Sequence, residues 1–191
     1  MEHSSYLGAD MIVIHPCNHI NYKENNNYDF MMEYNLDFYK RLIPYAEKYN
    51  IKIAIENIPG CITQTAKGLL ELLNTLSNDV FTVCYDVGHA NICGQNPADM
   101  IKEIGQYIGC THIHDNDGIH DSHTLPYYGT IDWESVMKAF AEIGQIRIPH
   151  LYADFTDFHI GCTQQLAGFA HPNFFNIAVD ANSLFFHEQS A

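Results

Sequence analysis

The chain alternates short β-branched runs with longer stretches of helical period. Met11-Ile12-Val13-Ile14, Ile51-Lys52-Ile53-Ala54-Ile55, Val80-Phe81-Thr82-Val83-Cys84-Tyr85 and Ile108-Gly109-Cys110-Thr111 are brief and rich in Val, Ile and aromatics, so each reads as a buried parallel strand. Between them the pattern predicts helices from about Asp29 to Tyr49, Thr65 to Leu76, Pro97 onward, and Trp133 to near Gly144. In the first, Tyr34, Phe38, Leu42, Tyr45 and Tyr49 recur at helical spacing and give one apolar face. Asn96-Pro97 places proline in a first helical turn, and Gly144 suits a C-cap. A helical lead over Met1 to Ala9, a loop from Asn116 to Thr130 and a last strand over about Ile146 to Tyr152 complete the pattern.

This β-α alternation predicts an α/β fold with a parallel sheet and helical crossovers. Five or six strands against the eight of a closed barrel predict an incomplete TIM (β/α)8 barrel. The short lead before the first strand fits a barrel lacking its first two βα units. Residues 1–147 read as this partial barrel. Residues 148–191 contain no Lys or Arg and no helical period, and read as an atypical, poorly ordered tail.

Each of the first four predicted strands ends in a group able to bind a metal. His15 follows the first, Glu56 the second, Asp86 the third and His112 the fourth. One strand-end acid is ordinary, but a series of them is the layout of a metal site at the top of a parallel barrel. Glu56, Asp86 and His112 are the expected ligands, because the barrel would bring them together although the sequence separates them. His89, three residues past Asp86, and Asp121 with His123 in the following loop are candidates for a second metal or for substrate contact, as is His15. His114 and Asp115, just past the fourth strand, are expected to turn away from His112 and to support the ligands from behind. Carboxylate and imidazole together suit Mn, Co, Zn or Mg without selecting among them.

Composition narrows the function. The formal charge of -14, with only nine Lys and Arg, argues against a nucleic-acid or anionic-membrane surface. There is no apolar span long enough for a membrane helix and no signal peptide. The six cysteines form no Cys-x-x-Cys pair, and a reducing, cytoplasmic compartment is expected. No Gly-x-Ser-x-Gly, phosphate loop or dinucleotide fingerprint competes with the metal site.

The series Val13-Ile14-His15-Pro16, Ile55-Glu56-Asn57, Tyr85-Asp86-Val87-Gly88-His89-Ala90-Asn91, His112-Ile113-His114-Asp115-Asn116, Asp121-x-His123 and Gly129-Thr130-Ile131-Asp132-Trp133 resembles the sugar phosphate isomerase/epimerase superfamily, over roughly Leu7 to Gly144. The resemblance implies a xylose isomerase-like barrel with Glu56, Asp86 and His112 on a divalent metal. In the superfamily's apurinic endonuclease branch, the positions of His15, His89, Asp121 and His123 also hold metals; in its epimerase branch the position of His89 touches substrate. The ketose epimerases carry an arginine where this chain has Gly118. The superfamily's strand-eight glutamate has no counterpart after Gly144, where Asp154 is a weak substitute and a reading-frame slip would account for the unusual tail.

The expected function is metal-dependent isomerisation or epimerisation of a sugar or polyol, phosphorylated or not, by proton transfer beside a carbonyl, with Glu56 as ligand and general base. The alternatives are a multi-metal phosphodiester hydrolase and a catalytically silent barrel fragment. Self-association into a homo-oligomer through open strand edges belongs to the last reading.

Overall fold

In the computed structural model, residues 1–17, 28–144 and the strand pair at 151–152 are described. The elements are α1 (Glu2–Tyr6), β1 (Met11–Ile14), α2 (Tyr28–Tyr49), β2 (Lys52–Glu56), α3 (Ala66–Leu76), β3 (Phe81–Asp86), α4 (Val87–Ile92), α5 (Pro97–Ile104), β4 (Ile108–His112), α6 (Trp133–Glu142) and β5 (Leu151–Tyr152), with short 3-10 turns at Ile62–Gln64 and Gly105–Tyr107. Every strand pairing is parallel, and the sheet order is β1-β2-β3-β4-β5. This is the sequential arrangement expected of consecutive βα units in a barrel wall.

The two faces of each strand have different jobs. Ile53, Ile55, Val83 and Tyr85 point outward and bury themselves under the helices, against Met31, Tyr39, Leu69, Leu72, Ile101 and Val136. The alternate positions point inward, where Ala54, Cys84 and Cys110 form a small cluster bordered by Met11 and Val13. Period-two alternation carries these inward rows upward to Glu56, Asp86 and His112, and that parity places the candidate ligands on one side of the wall.

The helices begin where their side chains can close the first turn. Thr65 Oγ1 accepts from Gly68 N at 3.2 Å, Asn96 Oδ1 from Ala98 N at 2.9 Å, and Asp132 Oδ1 from Ser135 N at 3.2 Å. In α2 the buried positions Met31, Asn35, Tyr39 and Ala46 share a face, while Pro44 sits on the exposed one. Tyr39 also ties α2 to β1, its hydroxyl donating to Ile14 O at 2.9 Å.

Three boundaries move from expectation. Thr65 caps α3 instead of lying within it. The helix after Asp132 ends at Glu142, and Gly144 follows one residue beyond the Ile143 cap with φ +70°. The short helix α4, directly after Asp86, was not expected: its six residues are too few to express a helical period. Residues 145–150 and 153–191 lie outside the described residues, and with them Asp154, most of the last predicted strand and the tail.

Candidate metal centre at the strand ends

Glu56 and Asp86 leave adjacent strands and are each only 1% exposed. A buried carboxylate needs partners, and here the ion-pair partners are imidazoles. His112 Nδ1 lies 3.0 Å from Glu56 Oε1 and 3.5 Å from Asp86 Oδ2. His89 Nδ1 lies 3.3 Å from Glu56 Oε1 and 3.6 Å from Asp86 Oδ2. From β1, His15 Nε2 reaches Glu56 Oε2 at 2.9 Å. The residues singled out on four different strands thus meet in one place.

Asp86 does two jobs at once. Its Oδ1 caps α4, accepting from His89 N at 2.7 Å, and this bond sets the direction in which His89 enters the site. Its Oδ2 remains turned toward His112 and His89. Capping and ligand geometry are therefore not alternatives at this position.

A second group adjoins the first. His89 Nε2 and His123 Nε2 both stand 3.3 Å from Asp121 Oδ2. His114 joins them, contrary to the expectation that it turns away: its Nε2 is 3.0 Å from Asp86 Oδ1, and its ring stacks on His123 at 4.0 Å with 3° between planes. The reason is that residues two apart in an extended chain share a face, so His114 follows His112 to the side on which Asp86 lies. Gly88 makes room for that ring, since a Cβ there would fall 2.0 Å from His114 Cε1. Asp115, by contrast, does stand behind the site. It is buried and binds Trp133 Nε1 at 2.7 Å, Asn116 N at 2.8 Å and Ile131 N at 3.3 Å.

Two asparagines escaped the sequence reading. Asn57 grips the Asp86 backbone on both sides, and Asn116 Nδ2 donates to Gly88 O at 2.9 Å while its Oδ1 accepts from Asn91 at 2.8 Å. Both fix the β3–α4 corner that presents Asp86 and His89. Their only sequence signal is adjacency to the strand-end acids. His120, with its side chain 75% exposed, pairs outward with Asp117.

The electrostatics follow from this packing. Burial acts to raise the Glu56 carboxyl, but hydrogen bonds from His112, His15 and His89 hold it far below the usual carboxylate range. Burial likewise opposes ionisation of Asp86, and His112 and His114 hold it down. Burial acts to lower the imidazoles, yet Asp121 and Glu56 push His89 up to about 10, and Asp86 and Glu56 push His112 up to about 10. His114 is raised by Asp86 in the same way. Paired buried anions held by titratable imidazoles form a donor set that a divalent cation can take over by displacing protons.

The residues present fit such an ion. Donor atoms of Glu56, Asp86 and His89 lie within 4.8 Å of one another, as do those of Glu56, Cys84 and His112, and those of His89, His114, Asp121 and His123. Carboxylate and imidazole donors gathered on this scale suit Zn, Mn or Co, whereas all-oxygen cages suit Mg.

Comparison with known proteins agrees with this geometry. The family model for a xylose isomerase-like TIM barrel matches residues 1–148. Inosose isomerase of Bacillus subtilis is 28% identical over 117 residues, covering 57% of this chain and 42% of the relative. A crystal structure of a D-tagatose 3-epimerase-like protein superposes with a TM-score of 0.68 at 29% identity, covering 75% of this chain and 55% of that one. The IOLI protein, crystallised with a binding zinc atom, gives 0.63 at 26% identity and covers 75% and 53%. The chain spans about half the length of the curated relatives it matches first, 48%, 44% and 42%. Five parallel strands in sequential order, an inward row of acids and imidazoles at their ends, and a match over residues 1–148 have one common explanation: the chain belongs to the xylose isomerase-like TIM barrel family.

Proposed function

We propose that this chain carries the metal-dependent site of a sugar or polyol isomerase or epimerase that moves a proton at the carbon beside a carbonyl. The observation that supports it most is the convergence of buried Glu56 and Asp86 with His15, His89 and His112 at the ends of neighbouring parallel strands. The inosose isomerase and epimerase-like relatives point to the same substrate class.

Glu56, Asp86 and His112, with His89 beside them, would hold the divalent ion. When bound, that ion supplies positive charge against which a carbonyl and its neighbouring hydroxyl are polarised. Glu56 would accept the proton, with His15 Nε2 2.9 Å from its Oε2. His15, half exposed at 46%, is positioned to orient a substrate hydroxyl and to hold the Glu56 carboxylate in place. Asp121 holds the Nε2 side of His89 and so fixes which ring nitrogen faces the carboxylates. Asn57 and Asn116 keep the corner rigid, which limits how far the acids can drift from the reacting carbon.

Elemental mass spectrometry of the untagged chain and proton exchange in deuterated water test the reading together. The expected result is about one Mn, Co or Zn per chain, with deuterium entering inosose or a keto-sugar at the carbon next to the carbonyl. A metal-free chain that exchanges no substrate proton overturns it.

A second reading is favoured by one observation, the adjoining His89, His114, Asp121 and His123 group, which would make the centre multinuclear. A phosphodiester hydrolase would use such a centre, although the charge of -14 opposes a nucleic-acid substrate. Nicking of an abasic duplex oligonucleotide, steeply lost with salt, would support it over isomerisation.

A further inference from the structure

The floor of the metal centre carries a thiol. Cys84 lies two residues before Asp86 on β3, fully buried, and its register partners are Glu56 on one side and Cys110 on the other. Residues two apart on a strand share a face, so Cys84 stands beneath Asp86 as Cys110 stands beneath His112. Sulfur thus occupies the row below the acid and the imidazole.

A one-residue shift in the ladder produces this stacking. Val83 pairs with Ile108, but Cys84 pairs with Cys110, so Gly109 is passed over between them. In an unshifted ladder Cys84 would face Gly109 and Asp86 would face Thr111, and the parity of β4 would turn Cys110 and His112 to the helix side. Glycine suits the extra position, because a Cβ on residue 109 would fall 2.5 Å from Thr82 Oγ1.

A buried thiol on a strand is ordinarily a small apolar filler. Cys84 has other donors beside it. Its Sγ, a carboxylate oxygen of Glu56 and a ring nitrogen of His112 all lie within 4.8 Å of one another, and His112 Nδ1 is 3.0 Å from Glu56 Oε1. Bonds of about 2.0–2.3 Å put the donors on a tetrahedral zinc about 3.3–3.6 Å apart. An ion would therefore close this set with roughly 1 Å of side-chain movement.

We propose that Cys84 is a sulfur ligand on the floor of the centre, joining Glu56 and His112 on a thiophilic ion and selecting Zn2+ over Mn2+ and Mg2+. The inference rests on the reading of the strand ends as a metal centre and not on the sugar chemistry. When the ion binds, the S–H bond breaks, sulfur keeps the electron pair and the proton leaves to buffer, with no change of oxidation state. A soft thiolate bonds strongly to zinc and gains little from the harder ions, which hold carboxylate and water instead.

Cobalt reports the sulfur by colour and zinc by bond length, and neither readout needs turnover. Co2+ added to the untagged chain should raise a near-ultraviolet thiolate-to-cobalt charge-transfer band, lost in Cys84→Ser and kept in Cys110→Ser. Zinc K-edge X-ray absorption of the wild-type chain should find one sulfur at about 2.3 Å beside nitrogen and oxygen at about 2.0–2.2 Å. In competition, the preference for Zn2+ over Mn2+ should fall at least about tenfold in Cys84→Ser, with far-ultraviolet circular dichroism unchanged. Should Cys84→Ser fail to fold, the wild-type absorption spectrum decides alone. Zinc held by nitrogen and oxygen only, or a charge-transfer band that survives in folded Cys84→Ser, overturns the sulfur ligand while the metal-dependent isomerase reading stands. Sulfur-bound zinc in a chain that exchanges no substrate proton keeps Cys84 as a ligand and removes the isomerase chemistry. Uptake of no ion overturns both.

Discussion

The side-chain amide of Asn57 closes on the backbone of Asp86 from both directions, its Oδ1 accepting from Asp86 N at 2.6 Å and its Nδ2 donating to Asp86 O at 2.8 Å. The residue just past β2 thereby satisfies both main-chain groups of the residue that ends β3 and caps α4. Asn57→Ala leaves a buried N–H and a buried carbonyl unpaired, and is expected to cost about 2–4 kcal/mol of stability. Asn57→Asp keeps the acceptor, loses the donor and adds a negative charge beside two others, so it should be at least as damaging. Urea unfolding of both variants measures the difference.

Asp86→Asn separates capping from charge. Asparagine caps helices as well as aspartate does, so α4 should persist with its far-ultraviolet signature unchanged. The carboxylate that His112 and His114 face is gone, and bound metal should fall by at least about tenfold. Elemental analysis beside circular dichroism makes the comparison. Metal loss together with loss of α4 would mean that Asp86 acts through folding alone.

Gly88→Ala tests the close approach of His114. A methyl group at position 88 would meet the imidazole at 2.0 Å, so the ring must move away from Asp86. Overpacking of this kind costs about 1–3 kcal/mol. The distinguishing readout is the His114 imidazole resonance, whose titration should drop toward that of a free histidine as its carboxylate partner recedes.

The metal-free centre should show a stability maximum on the acid side of neutrality. Glu56 and Asp86 are held low, so their contribution is present above the unfolded carboxylate value of about 4 and lost as pH falls below it. His89 and His112 are raised to about 10. Their contribution is complete below the unfolded imidazole value of about 6.5 and is lost as pH climbs from there toward the folded value. With a chelator present, urea midpoints at pH 5.5, 7.5 and 9 should therefore decline in that order. Added Mn2+ should reverse the trend, because the ion replaces the same protons that alkali removes. A flat profile with chelator would mean that the imidazoles titrate alike in the folded and unfolded chain, and a rising one that they are neutral in the folded chain.

The wall of the barrel was legible because its signals are local. Val and Ile runs mark β1 to β4, and Thr65, Asn96 and Asp132 cap their helices through atoms within a few residues. The convergence of Glu56, Asp86 and His112 was legible for a related reason, since strand parity alone decides which way a strand-end residue faces. His114 was misplaced although the same parity, carried two residues past His112, puts it on the face of the site. Asn57 and Asn116 were missed because their partners are backbone groups of other elements, which no spacing in the sequence announces.

Strand β1 pairs with β2 along one side and, among the described residues, with no strand along the other. Its amides and carbonyls on that side repeat at the spacing of any β-strand and do not discriminate between a neighbour from a complete barrel and an unrelated extended peptide. If two copies pair along this edge, the fraction so joined would grow with protein concentration and waiting time, and a charged substitution such as Ile12→Lys would return the sample to single chains on gel filtration.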